Sequence, residues 1–222
     1  MAIKDNIDSL KVEIGEICNR INRDPRDITI IAIAKTFTHS QILEAFESGI
    51  MDIGENRVQE AVEKIERLSQ LEPHPTWHMV GHLQSNKAKV AVEIFDLIHS
   101  IDSVRLAEVI SHRTHKTMPV LLEVNVSGEA SKNGFPLTKV EPALEEIAHL
   151  PRLEVKGLMT IAPLLSDAEQ VRPVFRKLRS LRDSFGLEHL SMGMTDDFEV
   201  AVEEGATLVR IGRAIFGERG AK

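Results

Sequence analysis

The strongest constraint on this chain is an alternation. Eight short runs rich in aliphatic and β-branched residues lie at 28–34, 51–54, 76–80, 95–99, 119–126, 153–161, 189–192 and 207–211. After them come stretches with apolar side chains at helical spacing, near 40–48, 58–68, 87–93, 104–112, 139–149, 169–185 and 198–204, with a last short segment at 214–216. A strand followed by a helix followed by a strand makes a parallel pair, because the crossover carries the helix. Right-handed crossovers repeated eight times close into an α/β barrel of the (β/α)8, TIM type, which needs about 200 to 250 residues. The rival is an open doubly wound sheet, which carries a glycine-rich G-x-G-x-x-G turn after its first strand. At that position the chain reads AKTFTH, without glycine, so the barrel is the expectation.

Ahead of the alternation, Ile3, Ile7, Leu10, Ile14, Ile17 and Ile21 fall on one helical stripe, and Asp24-Pro25 ends it. Residues 1–22 are therefore expected as an extra N-terminal helix packed outside the barrel. Nothing in the composition divides the 222 residues, so 1–222 reads as a single domain. With 42% hydrophobic and 27% charged residues the chain is a globular mixture, not a disordered one. Its net charge of −7 argues against a general nucleic-acid binder. No apolar run approaches membrane-spanning length, the N-terminus lacks a signal-peptide core, and one cysteine, Cys18, permits no internal disulfide. A cytoplasmic, soluble protein is expected. His74, His78 and His82 recur every fourth residue, but no cysteine or carboxylate completes a ligand set, and no metal site is expected. Arg172, Arg176 and Arg179 share one face of the seventh helix, read as a solvated face.

Chemistry in a barrel sits at the C-terminal ends of the strands. Lys35 closes the first run, where partial desolvation favours the neutral amine that attacks a carbonyl carbon, although a strand-end lysine reaching solvent has the same sequence signature. Ser191-Met192-Gly193-Met194-Thr195 follows the seventh run, and Arg210-Ile211-Gly212-Arg213 the eighth. Barrels that hold phosphorylated ligands use the loops after strands seven and eight with a following helix N-terminus. A phosphate anchor across the mouth from a carbonyl-trapping lysine suits pyridoxal 5′-phosphate, an aldehyde that carries a phosphate. Asn125, Met159, His82 and Asn86 are further residues expected near the mouth, each equally readable as packing or loop.

The chain also resembles the pyridoxal phosphate homeostasis family (YggS/PROSC type), related to the barrel domain of alanine racemase. The blocks that carry the resemblance are AKT around Lys35, GENRVQE at 54–60, WHMVGHLQSNK at 77–87, NVSGEASKNGF at 125–135, GLMTIAP at 157–163, SMGMTDDFE at 191–199 and VRIGRAIFG at 209–217. The resemblance implies an alanine racemase N-terminal domain-like barrel in which Lys35 forms the internal aldimine. It implies that Ser191 and the Gly212–Arg213 backbone hold the phosphate, that Arg210 faces the pyridine nitrogen and that Asn56 lies near the ring. Two positions depart from the family pattern: Arg213 stands where threonine is frequent, and Thr195 where serine is common.

Racemisation needs proton-transfer groups on both faces of the ring. In alanine racemase the second is a tyrosine on an additional domain, whereas this sequence contains no tyrosine and ends about ten residues after the eighth run. The expectation is a non-catalytic carrier and regulator of pyridoxal phosphate that delivers it to apo-enzymes or works with a regulatory protein, as a monomer. A cofactor-dependent amino-acid racemase or lyase is the alternative. A class I aldolase is a third, disfavoured because its Schiff-base lysine usually sits on a later strand.

Overall fold

The computed structural model describes residues 2–165 and 167–218. Its sheet consists of β1 (Thr29–Ile33), β2 (Asp52–Glu55), β3 (Thr76–Met79), β4 (Leu97–Ile101), β5 (Met118–Asn125), β6 (Leu153–Met159), β7 (His189–Ser191) and β8 (Leu208–Ile211). Every strand pairs in parallel with the next, and β8 returns to pair with β1, Ala32 opposite Ile211. The sheet is a closed eight-stranded barrel, as the alternation predicts. Phe135–Pro136 adds a two-residue strand beside the end of β5.

The helices are α1 (Ile3–Arg20), α2 (His39–Glu47), α3 (Val58–Arg67), α4 (Ala88–Ile94), α5 (Val104–Arg113), α6 (Val140–Ala148), α7 (Arg172–Ser184), α8 (Phe198–Glu203) and α9 (Arg213–Phe216). Their ends follow local chemistry. Thr38 and Gln41 form a reciprocal capping box at the start of α2, and Gly49, at φ +86°, ends it. Pro173 explains why the seventh helical stretch is shorter than its pattern. Without an N–H, and with a ring that collides with the carbonyl four residues back, it is tolerated only in a first turn, so α7 begins at Arg172 after a 3-10 turn, Ala168–Val171.

The fourth strand starts two residues later than expected. Phe95 is fully buried but outside the pairing, and Asp96 exchanges hydrogen bonds with Trp77: its N–H donates to the Trp77 carbonyl and its carboxylate accepts from the Trp77 N–H, both at 2.8 Å. Phe95, the residue that ends α4, is buried in the large apolar core.

Helix α1 lies outside the barrel on its predicted stripe, with Ile3, Ile7, Leu10, Ile14 and Ile17 buried against α2, α8 and α9. Asn6 donates to the Ile215 carbonyl at 2.8 Å, and Arg20 pairs with Glu199 and Glu203 of α8. The strands thus divide two layers. Between sheet and helices lies a continuous apolar shell that includes Ala32, Ile53, Trp77, Ile98, Leu122, Leu158, Leu190 and Val209. Inside the barrel a separate apolar cluster, Ile31, Ile33, Val80, Leu97, Leu121, Met159 and Leu208, shares the axis with polar side chains. Gly54 belongs to this inner layer: a Cβ there would come within 2.6 Å of the Ile33 side chain and 2.9 Å of Ile31, which fill the space in its place.

Candidate functional site

At the C-terminal mouth one hollow is lined by Ile33 and Lys35 from the end of β1, Met194, Thr195 and Asp196 from the turn after β7, and Arg210, Gly212 and Arg213 from the end of β8. Sequence reasoning set the anion-binding turns across the mouth from Lys35. The closed barrel corrects this, because its first and last strands are neighbours, and Lys35 and Gly212 stand side by side.

Several contacts fix the Lys35 segment. The Ala34 N–H donates to the Gly54 carbonyl at 2.9 Å, and the Ala34 carbonyl accepts from Lys64 Nζ at 2.7 Å. Lys64 is itself ion-paired with Glu55, a fully buried carboxylate at the end of β2. Thr36 turns the chain away from the strand at φ +70°, a left-handed conformation costly for a β-branched residue. Phe37 then stacks on Phe216 of α9, ring centroids 4.5 Å apart, which ties this loop to the turn after β8.

The turn after β7 is built by Gly193 and Asp197. Gly193 sits at φ +91°, where a Cβ would also run within 2.5 Å of Ala201. The Asp197 carboxylate accepts from the Met194 N–H at 2.6 Å. Gly212 is different. Its φ is −110°, open to any residue, and a Cβ would meet only Ile33, at 3.8 Å. Neither backbone conformation nor packing requires glycine there; the missing side chain leaves a bare cradle beside Lys35 and the first N–H groups of α9.

Arg210 is the buried charge of the site, 5% exposed. Its guanidinium donates to Ser191 Oγ at 2.6 Å and to the Thr160 carbonyl at 2.8 Å. Burial lowers it to about 10, against Asp197 and Glu123, which favour its charge, so it is a cation at neutral pH. Glu123, inside the barrel on β5, is pushed up to about 7 by burial and by Asp102. Asp102 pairs with His82 at 3.0 Å at the rim.

The remaining predicted site residues divide between the wall of the hollow and positions outside it. Ser191 is fully buried below the hollow, its hydroxyl engaged by Arg210 and by His99 Nδ1 at 2.8 Å, and Thr195 takes the wall position. Asn56 lines an adjacent hollow, over the ends of β2 and β3, with Arg57, Gln59, Gly81, His82 and Gln84. The Arg213 side chain pairs with Asp196 and Glu218, so toward the hollow it offers backbone. Asn125 organises its own loop, donating to the Glu129 carbonyl and accepting from the Gly128 N–H, both at 2.9 Å. Met159 is core.

His74, His78 and His82 do not converge: the first pairs with Glu72, the second with Asp52 inside the barrel, the third with Asp102. Among the described residues no group of three or more histidine, cysteine or acidic side chains is arranged to hold a metal. The arginine face of α7 is solvated in part, with the Arg176 side chain 60% exposed, and it is also paired: Arg172, Arg176 and Arg179 all reach Glu204, which is nearly fully buried, and Arg172 also reaches Glu203.

Residues 6–220 match the family model described as alanine racemase, N-terminal domain. The chain is 45% identical to the pyridoxal phosphate homeostasis protein of Aquifex aeolicus, over 93% of each chain. It belongs to the pyridoxal phosphate homeostasis family. Among solved members, PipY of Synechococcus elongatus with pyridoxal phosphate bound superposes with a TM-score of 0.84 at 34% identity, over 97% of this chain and all of PipY. The racemase likeness is one of fold: alanine racemase from Corynebacterium glutamicum gives a TM-score of 0.73 at 16% identity, over 99% of this chain and 62% of that one.

Within the family frame, residues invisible to sequence reasoning stand out. His99, Glu123, Asp102 and Thr160 all touch or face Arg210 or its partners, and the Glu55–Lys64 pair supports Lys35 from below. A signal for two of them was present. His99 and Glu123 alternate with Leu97 and Leu121 at the strand period of two, which puts them on the inner face.

Proposed function

We propose that this protein binds pyridoxal 5′-phosphate at the β1–β8 hollow and acts in cytoplasmic homeostasis and delivery of the cofactor, as a monomer without efficient catalysis. When bound, the cofactor supplies an aldehyde that condenses reversibly with an amine and releases water. Lys35 supplies the amine, the N–H groups of Gly212 and Arg213 with the Thr195 hydroxyl receive the phosphate, and Arg210 meets the ring nitrogen, held from below by Ser191. Asn56 borders the ring from the neighbouring hollow.

The observation that carries this reading is the shared wall: an amine, an anion cradle with no side chain over Gly212 and a buried cation line one hollow. A cation beside the pyridine nitrogen disfavours protonating it, which weakens the ring as an electron sink for Cα chemistry. No tyrosine exists in the 222 residues to supply the opposite-face base used by alanine racemase. Exchange of Lys35 for an incoming amine, by contrast, needs no carbon acid chemistry. Recipient apo-enzymes or a regulatory protein would then take up or sense the cofactor.

The test is intact mass before and after borohydride on protein loaded with pyridoxal phosphate. One reduced adduct on Lys35 is expected, with a colourless Lys35→Ala variant. An adduct elsewhere, or none, would remove the reading. Amino-acid racemisation at about 1–10³ s⁻¹ would replace the carrier with an enzyme.

A further inference from the structure

Below the hollow a chain of polar side chains runs the length of the barrel axis. Asp52 opens β2 at the N-terminal end, where it also lines a separate hollow with Lys11, Pro25, Thr29 and Met51. Asp52 Oδ1 lies 3.0 Å from His78 Nε2, His78 Nδ1 lies 2.9 Å from His99 Nε2, and His99 Nδ1 lies 2.8 Å from Ser191 Oγ, which accepts from Arg210 at 2.6 Å. β4 and β7 are not neighbours in the sheet, so the His99–Ser191 bond crosses the interior. His78, His99, Ser191 and Arg210 are all buried.

With one proton on each imidazole, the two ends fix the direction of every bond between them. A guanidinium only donates, so Ser191 Oγ accepts from it; a carboxylate only accepts, so His78 Nε2 carries a proton toward Asp52. A neutral imidazole has a single N–H. His78 Nδ1 is then an acceptor, His99 Nε2 its donor, and His99 Nδ1 an acceptor that receives the Ser191 hydroxyl proton. The polarity runs one way: Arg210 to Ser191 to His99 to His78 to Asp52.

We propose that Asp52, His78 and His99 are positioning residues for Arg210: with Asp52 fixing the tautomers, His99 Nδ1 accepts the Ser191 hydroxyl hydrogen bond, which turns the serine lone pairs to Arg210 and locks the guanidinium at the mouth. The proposal rests on the reading that Arg210 faces the pyridine nitrogen. Neutral His99 is what the surroundings enforce, since burial, His78, Arg210 and His189 all hold it well below the usual imidazole range. The charged and titratable groups facing the chain are Asp52 on β2, His78 on β3, His99 on β4, Glu123 on β5, His189 on β7 and Asp197 ahead of α8. A second proton on His78 would reverse the chain: His99 would donate from Nδ1, and the serine proton would turn toward the mouth.

Two measurements test this. Histidine ¹⁵N spectra of the cofactor-free protein are expected to show the Nε2–H tautomer at both His78 and His99; an Nδ1–H signal at His99 overturns the proposal, whatever the cofactor does. The second is the pH profile of the absorption band of bound pyridoxal phosphate, with its affinity, in Asp52→Ala and Arg210→Lys. Asp52→Ala removes the far acceptor, at the opposite end of the barrel, whereas Asp52→Asn keeps an accepting oxygen and should stay close to the parent. Asp52→Ala is expected to shift the profile in the same direction as Arg210→Lys and to weaken binding roughly fivefold, the effect of one modest hydrogen bond. An Asp52→Ala profile identical to the parent's, while Arg210→Lys moves it, overturns the positioning role. No movement in Arg210→Lys either overturns the placement of Arg210 against the ring and the positioning role with it, and the tautomers separate that failure from an error in the chain itself.

Discussion

The two faces of the strands are built from different chemistry. Toward the helices every strand presents side chains such as Ala32, Ile53, Ile98, Leu122 and Leu190, and the shell they form is apolar and continuous. Toward the axis the same strands present Leu97 beside His99, Leu121 beside Glu123 and Leu208 beside Arg210. Burial is equally deep on both sides. On the outer side burial stabilises the fold, at roughly 25 cal/mol per Å² of apolar surface. On the inner side it falls in part on polar groups whose desolvation costs free energy unless every hydrogen bond is made. That cost shifts the protonation of Glu123, His99 and Arg210, and those shifts set the electrostatics of the mouth.

The sharpest way to separate the two layers is a deletion on the outer one. Phe175 of α7 is fully buried in the shell, and Phe175→Ala is expected to cost about 3–5 kcal/mol in urea unfolding. Cofactor uptake per folded molecule should not change.

A substitution on the inner face should do the reverse. The Glu123 carboxyl titrates at about 7 instead of 4.5, so the folded protein holds its proton more tightly than the unfolded chain and loses stability as pH rises between those values. Glu123→Gln is expected to be more stable than the parent above pH 7 by roughly 3 kcal/mol, because every tenfold difference in proton affinity between the folded and unfolded chain is worth about 1.4 kcal/mol. Equal stabilities at pH 8 would show that the inner face does not carry this cost.

His99 works in the opposite sense. Held neutral in the fold, it leaves the unfolded chain to take up the proton below about pH 6.5, so stability falls with falling pH by up to about 1.4 kcal/mol for each tenfold rise in proton concentration. Because Glu123 masks this slope in the parent, the measurement belongs in Glu123→Gln, where adding His99→Gln should flatten it. The smallest effect lies outside both layers: Thr38→Ala, which removes the capping box of α2, should cost about 1 kcal/mol and leave every pH dependence in place.

Much of this molecule was legible one residue at a time. The eight strands, the stripe of α1, the stop at Gly49 and the presence of Lys35, Arg210, Gly212 and Arg213 at strand ends follow from periodicity and from where barrels keep their chemistry. The exceptions share a cause. Phe95 looked like strand because apolar patterning reports burial, not pairing. The pairing of Arg172, Arg176 and Arg179 was hidden because Glu204, which they surround, lies beyond their own helix. Ser191 looked like a phosphate donor because its loop was in the right place, whereas its hydroxyl is committed to groups on β4 and β8.

By itself the sequence determined the order of the elements, the face each one buries and the inventory of reactive groups, since these depend on local periods and on which side chains are present. Only the tertiary structure decided which groups meet. Barrel closure sets Lys35 beside Gly212 instead of across from it, and the interior brings Asp52, His78, His99, Ser191 and Arg210 into one line. The reason is physical: closure joins residues nearly the whole chain apart, and the protonation of each buried group is then fixed by neighbours from other strands, which no local window contains.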